Sequence, residues 1–458
     1  MTNFFNEDLK IEDPDLSSLI QFEYERQNKS IELIASENFT SPAVINCLGS
    51  ILTNKYSEGY PNRRYYGGNQ YIDQIELLCQ ERALKAFHLS ENDWSVNVQP
   101  YSGSPANFAV YTGLLLPGDR IMGLGLTAGG HLTHGFYTPK KKISASSIFF
   151  QSLPYGLNND GFIDYEELEK RVNAFIPKIL IVGGSSYPRD FDYMKFKKIA
   201  NAVGAYLMVD MAHFSGFITT QLLNNPFEYA DIVTTTTHKT LRGPRSGMIF
   251  INRKTENGVL VTKINEAVFP GLQGGPHNHQ IAAVAYQLKQ VLQPEFKVYM
   301  QNVKNMASIL ANALKEKGFN IVTGGTDNHI VLVDLKSKNI TGSKFEYLAE
   351  LVDISLNKNC IVGDANAMSP SGVRIGTPAM VTRGFGEKEF IQIAEIFEQL
   401  IQISNKLSDK KLLSDFKIAL SNPDIKNDLE KIKLEVNTMA LGFPFYTSSS
   451  TFSSTGFQ

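Results

Sequence analysis

The feature that most constrains the fold is the segment at residues 231–245, where an apolar, β-branched run ends at one lysine and a basic turn. Ile-Val-Thr-Thr-Thr-Thr at 232–237 is followed by His238 and Lys239, and then by Arg-Gly-Pro-Arg at 242–245. The run predicts a strand, and the Gly-Pro pair predicts a loop after it. The amine of Lys239 is therefore expected where the end of a strand meets a cleft.

The surroundings of Lys239 predict an unusual amine. His238 flanks it, and Arg242 and Arg245 follow closely. Neighbouring positive charge and partial burial both disfavour the ammonium form, so the nucleophilic amine becomes accessible near neutral pH. Such a lysine suits a Schiff base with a carbonyl cofactor. A lone lysine at the start of a loop is more often simply solvated, so the hypothesis depends on partners elsewhere in the chain.

One partner is an acid at the end of another predicted strand. Ala-Tyr-Leu-Met-Val at 205–209 runs into Asp210, and His213 follows three residues later. In an open α/β sheet the carboxyl ends of neighbouring strands face one crevice, so Asp210 and Lys239 are expected to converge there. A pyridine-type cofactor needs a carboxylate that keeps its ring nitrogen protonated. Taken alone, Asp210 is as well explained as a turn residue and His213 as a core histidine.

A phosphate site is expected at a helix start, where free amides and the helix dipole favour anions. The strand-like run at 96–99 leads into Ser102, Gly103 and Ser104, and an apolar-periodic helix follows. Pro105 is predicted at the first helical position. By itself this is an ordinary helix start, and it gains meaning from its order with Asp210 and Lys239.

Composition places the chain among ordinary globular proteins. It has 458 residues, 43% hydrophobic and 20% charged, with a formal net charge of −2. That balance gives no electrostatic case for binding nucleic acid or an anionic membrane, and no apolar stretch is long enough to span a bilayer. The three cysteines have neither metal-ligand nor disulfide-framework spacing, so no metal is predicted. Residues 1–13 carry several acids and no arginine, and a cytoplasmic location is expected.

Strand-like and helix-like segments alternate, which predicts an α/β fold with a mostly parallel sheet. Strands are predicted at 146–150, 178–182, 206–209 and 232–235, with further strands at 328–335 and 372–377. Helices are predicted at 15–26, 195–202 and 279–289. We divide the chain into a helical arm (1–40), a large α/β domain (41–295), a smaller α+β domain (296–446) and a disordered tail (447–458).

Six runs in a fixed order make the chain resemble serine hydroxymethyltransferases, a family of fold-type I pyridoxal-phosphate enzymes. They lie at residues 33–41, 54–61, 64–68, 129–135, 234–245 and 372–378. The resemblance extends from about residue 33 to about residue 386. It implies a large domain with a mostly parallel, seven-stranded type of sheet and a smaller C-terminal α+β domain.

The resemblance also implies a set of cofactor contacts. Lys239 would form the Schiff base with pyridoxal 5'-phosphate, Asp210 would pair with the ring nitrogen and His131 would stack on the ring. Ser185 and His213 would lie near the ring hydroxyl, and Thr236 and Arg245 would orient the Schiff base and Tyr56. The phosphate contacts implied within one subunit are Ser102, Gly103, Ser104 and His238. Those implied from the neighbouring subunit are Tyr56, Gly274 and Gly275.

Substrate contacts follow from the same resemblance. Arg374 and Ser36 would bind the α-carboxylate of a small amino acid, with Tyr66 reaching across the subunit interface. Glu58 would manage protons at the serine hydroxyl and at the folate one-carbon group. His213 would also lie beside the substrate. The folate contacts implied are Tyr65, Leu126, Gly130, Leu132 and Asn359.

The implied activity is the reversible transfer of the serine hydroxymethyl carbon to tetrahydrofolate, giving glycine and 5,10-methylenetetrahydrofolate. A homodimer with shared active sites is expected, and the choice between dimer and tetramer stays open. Two alternatives also stay open on the sequence. One is a folate-independent, threonine-type aldolase, and the other is a non-catalytic binding protein that keeps the fold.

Overall fold

The computed structural model describes residues 9–364 and 370–444. Its centre is a seven-stranded sheet in which one strand, Gly247–Asn252, runs antiparallel to its neighbours and the other pairings are parallel. The strands in spatial order are Trp94–Asn97, Gly247–Asn252, Ile232–Thr236, Tyr206–Asp210, Ile179–Val182, Arg120–Met122 and Gln151–Ser152. The predicted fold class is confirmed.

The central strands are buried on both faces, which explains their continuous apolar sequences. Ile179–Val182 and Ile232–Thr236 are buried at every position. Register pairs Asp210 with Thr234 on the next strand, so the carboxyl ends of these strands lie side by side. The predicted strands at 178–182, 206–209 and 232–235 are confirmed.

Helices cover both faces of the sheet and build most of the C-terminal part. The predicted helices at 15–26, 195–202 and 279–289 are confirmed as Pro14–Lys29, Tyr193–Ala202 and Asn278–Val291. The remaining α-helices are Leu9–Glu12, Pro42–Leu48, Gln70–Ala86, Gly103–Leu114, Ala145–Phe149, Tyr165–Phe175, Ser215–Thr219, Val259–Glu266, Pro294–Glu316, Gly342–Leu351, Pro378–Arg383, Glu387–Asn405, Leu413–Ala419 and Pro423–Leu441. In the described ranges, none of the helices has both the length and the apolar character needed to cross a membrane.

Two local predictions were wrong. The run at 146–150 forms the helix Ala145–Phe149, because its amides at 147 and 148 bond to the Ser144 carbonyl; a short apolar run does not distinguish helix from strand. Pro105 is the third residue of its helix, which begins at Gly103. Proline is tolerated there because amides of the first turn have no intrahelical acceptor.

A second, four-stranded antiparallel sheet forms in the C-terminal part. Its order is Asn320–Ile321, Ile330–Asp334, Gly372–Gly376 and Asn357–Asn359, which confirms the strands predicted at 328–335 and 372–377. Its hydrophobic core also takes in Ile31 and Leu33 from near the N-terminus. The helix Pro294–Glu316 contributes to this core and to that of the seven-stranded sheet, so the predicted domain boundary at 296 falls inside its first turn. The tail predicted at 447–458 lies outside the described residues.

Arg383 joins the two ends of the chain. Its buried guanidinium donates hydrogen bonds to backbone carbonyls near the end of the N-terminal helix Pro14–Lys29 and near the end of the C-terminal helix Pro423–Leu441. The acceptors are the carbonyls of Gln27, Asn28, Ser30, Ala440 and Phe443. One side chain thus satisfies carbonyls that helix ends leave open.

Replacing Arg383 by methionine is expected to lower the free energy of unfolding by about 3 kcal/mol, because buried carbonyls lose a charged donor. Urea unfolding at fixed protein concentration measures the change. Arg26→Met is the control: Arg26 pairs with Glu23 on the exposed side of the N-terminal helix, and its loss should cost about 0.5 kcal/mol or less. Equal effects of the two variants would contradict the role given to Arg383.

Candidate active site

A cavity of about 460 Å³ opens at the carboxyl edge of the seven-stranded sheet, a volume in the range typical of cofactor sites. Strand ends, the start of the helix Gly103–Leu114 and one strand of the smaller sheet enclose it. The structure brings together thirteen of the predicted site residues as its lining: Ser36, Ser102, Gly103, Ser104, His131, Ser185, Asp210, His213, Thr236, His238, Lys239, Arg245 and Arg374.

Asp210 is held as a buried carboxylate. One of its oxygens accepts hydrogen bonds from Asn107 Nδ2 at 2.8 Å and from His134 Nε2 at 3.1 Å, and the other accepts from the Ala212 amide. Burial alone would raise the pKa of Asp210, but the bond from His134 and its neighbours outweighs burial and lowers the pKa well below its usual range. Asp210 is therefore ionised at neutral pH.

Sequence reasoning missed the groups that hold Asp210. Asn107 lies one turn into the helix after Ser104, and its Oδ1 accepts a bond from Thr234 at 2.6 Å. His134 Nδ1 accepts a hydrogen bond from the His131 amide, so its Nε2 carries the ring proton and donates a hydrogen bond to Asp210. The available signal for His134 was its three-residue spacing from His131. Nothing local in the sequence points to Asn107.

Lys239 lies in a turn just beyond the strand Ile232–Thr236, and its amine donates to Thr236 Oγ1 at 2.9 Å. Burial lowers the pKa of Lys239 to about 8; Asp210 opposes this shift, while Arg374 and Arg245 add to it. The prediction that Arg242 supplies nearby charge was wrong. Its guanidinium instead bonds the Phe39 carbonyl and lies over the Tyr299 ring.

The helix start beside Lys239 can accept an anion. Ser102 precedes the helix Gly103–Leu114 and makes no side-chain cap, which leaves first-turn amides for a ligand. A Cβ on Gly103 would lie only 2.6 Å from Thr236 Cγ2, so the close approach of the helix to the lysine strand requires glycine. His238 lines the same cavity, and its buried Nδ1 has no hydrogen-bond partner among the described residues. A ligand oxygen would satisfy that nitrogen.

His131 lines the cavity with an uncharged ring. Burial lowers the pKa of His131 to about 4, although Asp210 opposes the shift. Its Nδ1 lies 2.7 Å from Thr133 Oγ1. The bond to Thr133 fixes the ring, and a neutral imidazole is suited to stacking on a flat ligand.

At the other end of the cavity, Arg374 projects from the strand Gly372–Gly376 of the smaller sheet. Its Nη1 donates to the Ser185 carbonyl at 2.6 Å and its Nε to Asn357 Oδ1 at 2.9 Å. These two bonds orient the guanidinium. Ser36 and His213 line the cavity with it, so a carboxylate bound there would meet a fixed positive charge and a hydroxyl.

A second cluster of predicted site residues lies outside this cavity. Tyr66 donates to the Glu58 carboxylate at 2.9 Å, and its ring packs edge-on against Tyr56. A Cβ on Gly275 would lie 3.0 Å from the Tyr56 ring, and one on Gly274 would lie 3.1 Å from Glu58 Oε1. None of these five residues lines the Lys239 cavity of the same chain.

The predicted folate residues lie in two places, one beside the second cluster and the others near the Lys239 cavity. Tyr65 is exposed and packs against Phe269, beside the second cluster. Leu126 and Leu132 lie in the two turns that flank His131. Gly130 passes so close to the Leu124 carbonyl that a Cβ would clash. Asn359 donates to Ser186 Oγ at 3.2 Å, next to the cavity residue Ser185. None of the five lines the Lys239 cavity.

The cavity fits pyridoxal phosphate in its donor chemistry. The orphaned His238 nitrogen and the uncapped helix start suit a phosphate, ionised Asp210 suits a protonated ring nitrogen, and Lys239 offers an amine of lowered pKa. With the mixed seven-stranded sheet and its site at the carboxyl edge, these groups define a fold-type I pyridoxal-phosphate enzyme.

Comparisons with known proteins identify the family. Residues 9–397 match the family model described as serine hydroxymethyltransferase. Serine hydroxymethyltransferase 4 of Arabidopsis thaliana is 54% identical, with 97% of this chain and 96% of that protein covered. Serine hydroxymethyltransferase 3, chloroplastic, from the same plant is 52% identical (94% and 83% covered). The mitochondrial serine hydroxymethyltransferase of Schizosaccharomyces pombe is 49% identical (94% and 92% covered).

The chain therefore belongs to the serine hydroxymethyltransferase family. Enzymes of this family depend on pyridoxal phosphate and use tetrahydrofolate as co-substrate. The predicted family, activity and cofactors are confirmed. The roles assigned to individual residues stay predictions, which the geometry above makes testable.

In cofactor-free protein, acetylation of Lys239 is expected to rise with pH through a midpoint near 8, because the neutral amine is the nucleophile. Competitive labelling with acetic anhydride, read by mass spectrometry, measures this midpoint, with the exposed Lys142 as internal reference. Asp210→Asn should move the midpoint to lower pH, since Asp210 favours the ammonium form. A midpoint for Lys239 at or above that of Lys142 would contradict the assignment.

Proposed function

We propose that this chain interconverts serine plus tetrahydrofolate with glycine plus 5,10-methylenetetrahydrofolate, in an active site completed by a second copy of the chain. The observation that carries the proposal is the meeting of three groups in one cavity. They are an amine of lowered pKa (Lys239), an ionised carboxylate (Asp210) and an oriented guanidinium (Arg374).

Bound pyridoxal phosphate supplies an aldehyde for an amine and an electron-accepting ring. The chain's residues bind and orient around it. Asp210, fixed by Asn107 and His134, holds a proton at the ring nitrogen, and Thr236 holds the Lys239 amine. Arg374 and Ser36 bind the carboxylate of the amino acid, which excludes substrates without one.

The second cluster supports the dimer. Tyr56, Tyr66, Gly274 and Gly275 are the residues for which the family resemblance implies contacts across a subunit interface, and they cluster on one part of the surface. Tyr56 and Tyr66 are 57% and 49% exposed and pack against each other, and exposed hydrophobic side chains that lie together mark interaction sites. If a second copy covered these tyrosines, the cluster of one copy would lie at the Lys239 cavity of the other.

The same geometry supports a role for Glu58 in the active site of the partner copy. Its carboxylate accepts a hydrogen bond from the Tyr66 hydroxyl and lies beside Gly274, and it does not line the cavity of its own chain. Glu58 therefore reaches the substrate of the partner copy, where it moves protons at the serine hydroxyl and the one-carbon group. Tyr65, exposed beside this cluster, then meets the folate from the same side.

Mixing two variants tests the shared site. Lys239→Ala and Glu58→Gln homodimers should each lose at least about 100-fold in serine cleavage with tetrahydrofolate. Random exchange of subunits gives half heterodimers, and each heterodimer carries one site with both residues intact. The mixture should therefore recover about a quarter of wild-type activity, an outcome that requires sites shared between copies. A mixture as inactive as its components would show that each chain builds its own site.

The folate half of the proposal has its own test. Protein loaded with pyridoxal phosphate and glycine should show a long-wavelength absorbance band that grows sharply when tetrahydrofolate is added, because folate and amino acid act in one site. Glu58→Gln should keep cofactor binding, since the groups that suit the cofactor, Asp210, His238 and Lys239, are unchanged. A wild-type band indifferent to folate would favour the folate-independent aldolase reaction instead.

The cytoplasmic location stays a prediction. Relatives named for the chloroplast and for the mitochondrion show that this family works in more than one compartment. The slightly acidic balance of the chain supports no nucleic-acid partner. Cell fractionation with an antibody to the chain would decide the compartment.

A further inference from the structure

A second histidine, His329, lies directly behind His213. His213 Nδ1 and His329 Nε2 are 3.4 Å apart, and the two rings are nearly parallel, with 13° between their planes. Their centroids are 5.6 Å apart, which exceeds the nitrogen–nitrogen distance by about the width of one imidazole ring. The rings therefore meet edge to edge, with the two nitrogens facing each other. His329 is fully buried, and neither the sequence motifs nor the cavity lining includes it.

The Ala35 carbonyl identifies where the His329 proton lies. His329 Nε2 is 3.1 Å from the Ala35 oxygen, and a carbonyl can only accept. The His329 proton is therefore on Nε2, and the same N–H faces His213 Nδ1. His213 Nδ1 must then be an acceptor, so the proton of a neutral His213 lies on Nε2.

The opposite arrangement would place two groups in unfavourable positions. With the proton of His329 on Nδ1, the Nε2 lone pair would face the Ala35 carbonyl oxygen. The Nδ1–H would in turn be buried without an acceptor, because His329 Nδ1 has no hydrogen-bond partner among the described residues. An unsatisfied buried donor costs about 1–3 kcal/mol, enough to leave this tautomer a minor species.

Both rings are neutral, so each has one proton to place. Burial, together with the charge of Arg374, lowers the pKa of His329 to about 3. Burial and the charges of Lys239 and Arg374 hold the pKa of His213 well below its usual range. Phe217 packs against the His329 ring from the large domain and adds no charge.

We propose that His329 is a positioning residue that fixes the Nε2–H tautomer of His213, so that His213 presents a hydrogen-bond donor to the active-site cavity. The Nε2–H of His329 fixes this tautomer from the smaller sheet, since His329 immediately precedes the strand Ile330–Asp334. Because that N–H also bonds Ala35, next to Ser36, it ties the donor on His213 to the segment that carries the substrate-binding serine.

The inference rests on the proposed function only in that His213 faces the reacting molecules. Solid-state ¹⁵N NMR of histidine-labelled, cofactor-free protein reads the tautomer without any turnover, and His213→Asn identifies the His213 signals. Wild-type His213 is expected to show a protonated Nε2 and a bare Nδ1. A protonated Nδ1 in wild-type protein overturns the proposal even if serine cleavage is normal. If the expected tautomer is found but serine is not cleaved, the proposal for His329 holds and the proposed function is rejected.

Three variants separate positioning from packing. His329→Leu fills the space without a donor, and His329→Gln restores an N–H donor near the Nε2 position. We expect the leucine variant to give mixed His213 tautomers and a kcat lowered about 10- to 100-fold, with a smaller change in KM. The glutamine variant should recover most of the Nε2–H tautomer and most of kcat. His88→Asn, whose Nε2 bonds the Thr219 carbonyl outside the cavity, should change neither readout.

Two results would reject the role of His329. One is a leucine variant that keeps the Nε2–H signal while kcat falls, because the loss would then come from packing. The other is a glutamine variant as impaired as leucine in both tautomer and kcat while its thermal midpoint matches wild type. If His329→Leu does not fold, the wild-type tautomer and the glutamine variant still decide.

Discussion

The buried charge of Asp210 is the interaction on which the rest of the site depends. A carboxylate inside a protein is stable only when its hydrogen bonds replace water, and here Asn107, His134 and the Ala212 amide do so. Each donor comes from a different element, so the charge requires the whole sheet edge to be assembled. In return Asp210 opposes the burial that lowers the pKa of Lys239, which keeps that amine poised near neutral pH.

Under the proposed function, a single chain supplies only part of the active site. Its cavity has groups that suit a cofactor and an amino-acid carboxylate, whereas Glu58, Tyr56 and Tyr66 form a separate group on the surface. The two parts are each internally ordered by their own hydrogen bonds. Under the proposed function, Glu58 is placed by its own cluster without contacting the cavity of its own chain, and two copies would have to assemble for catalysis.

Local sequence predicted the parts of the fold that local physics determines. Buried strands such as Ile232–Thr236 have continuous β-branched runs. Asp210 ends one strand and Lys239 follows the next, and the ends of such strands meet in any open α/β sheet. The strand predicted at 146–150 was wrong because a short apolar segment is compatible with either a helix or a strand, and this one forms the helix Ala145–Phe149. Asn107 and His329 were missed because each acts on a residue more than 100 positions away. Arg242 was misjudged because nearness in sequence does not fix where a long side chain points.

The histidines of the site share one physical logic. Burial keeps the pKa values of His131, His213 and His238 well below neutrality, so these imidazoles act as neutral rings, donors and acceptors at neutral pH. A neutral imidazole is useful only in the correct tautomer, and each ring therefore needs a partner at one nitrogen. Thr133 bonds to His131 and His329 to His213, whereas the buried Nδ1 of His238 has no partner among the described residues. His238 and the uncapped helix start line the same cavity, where a phosphate would fit.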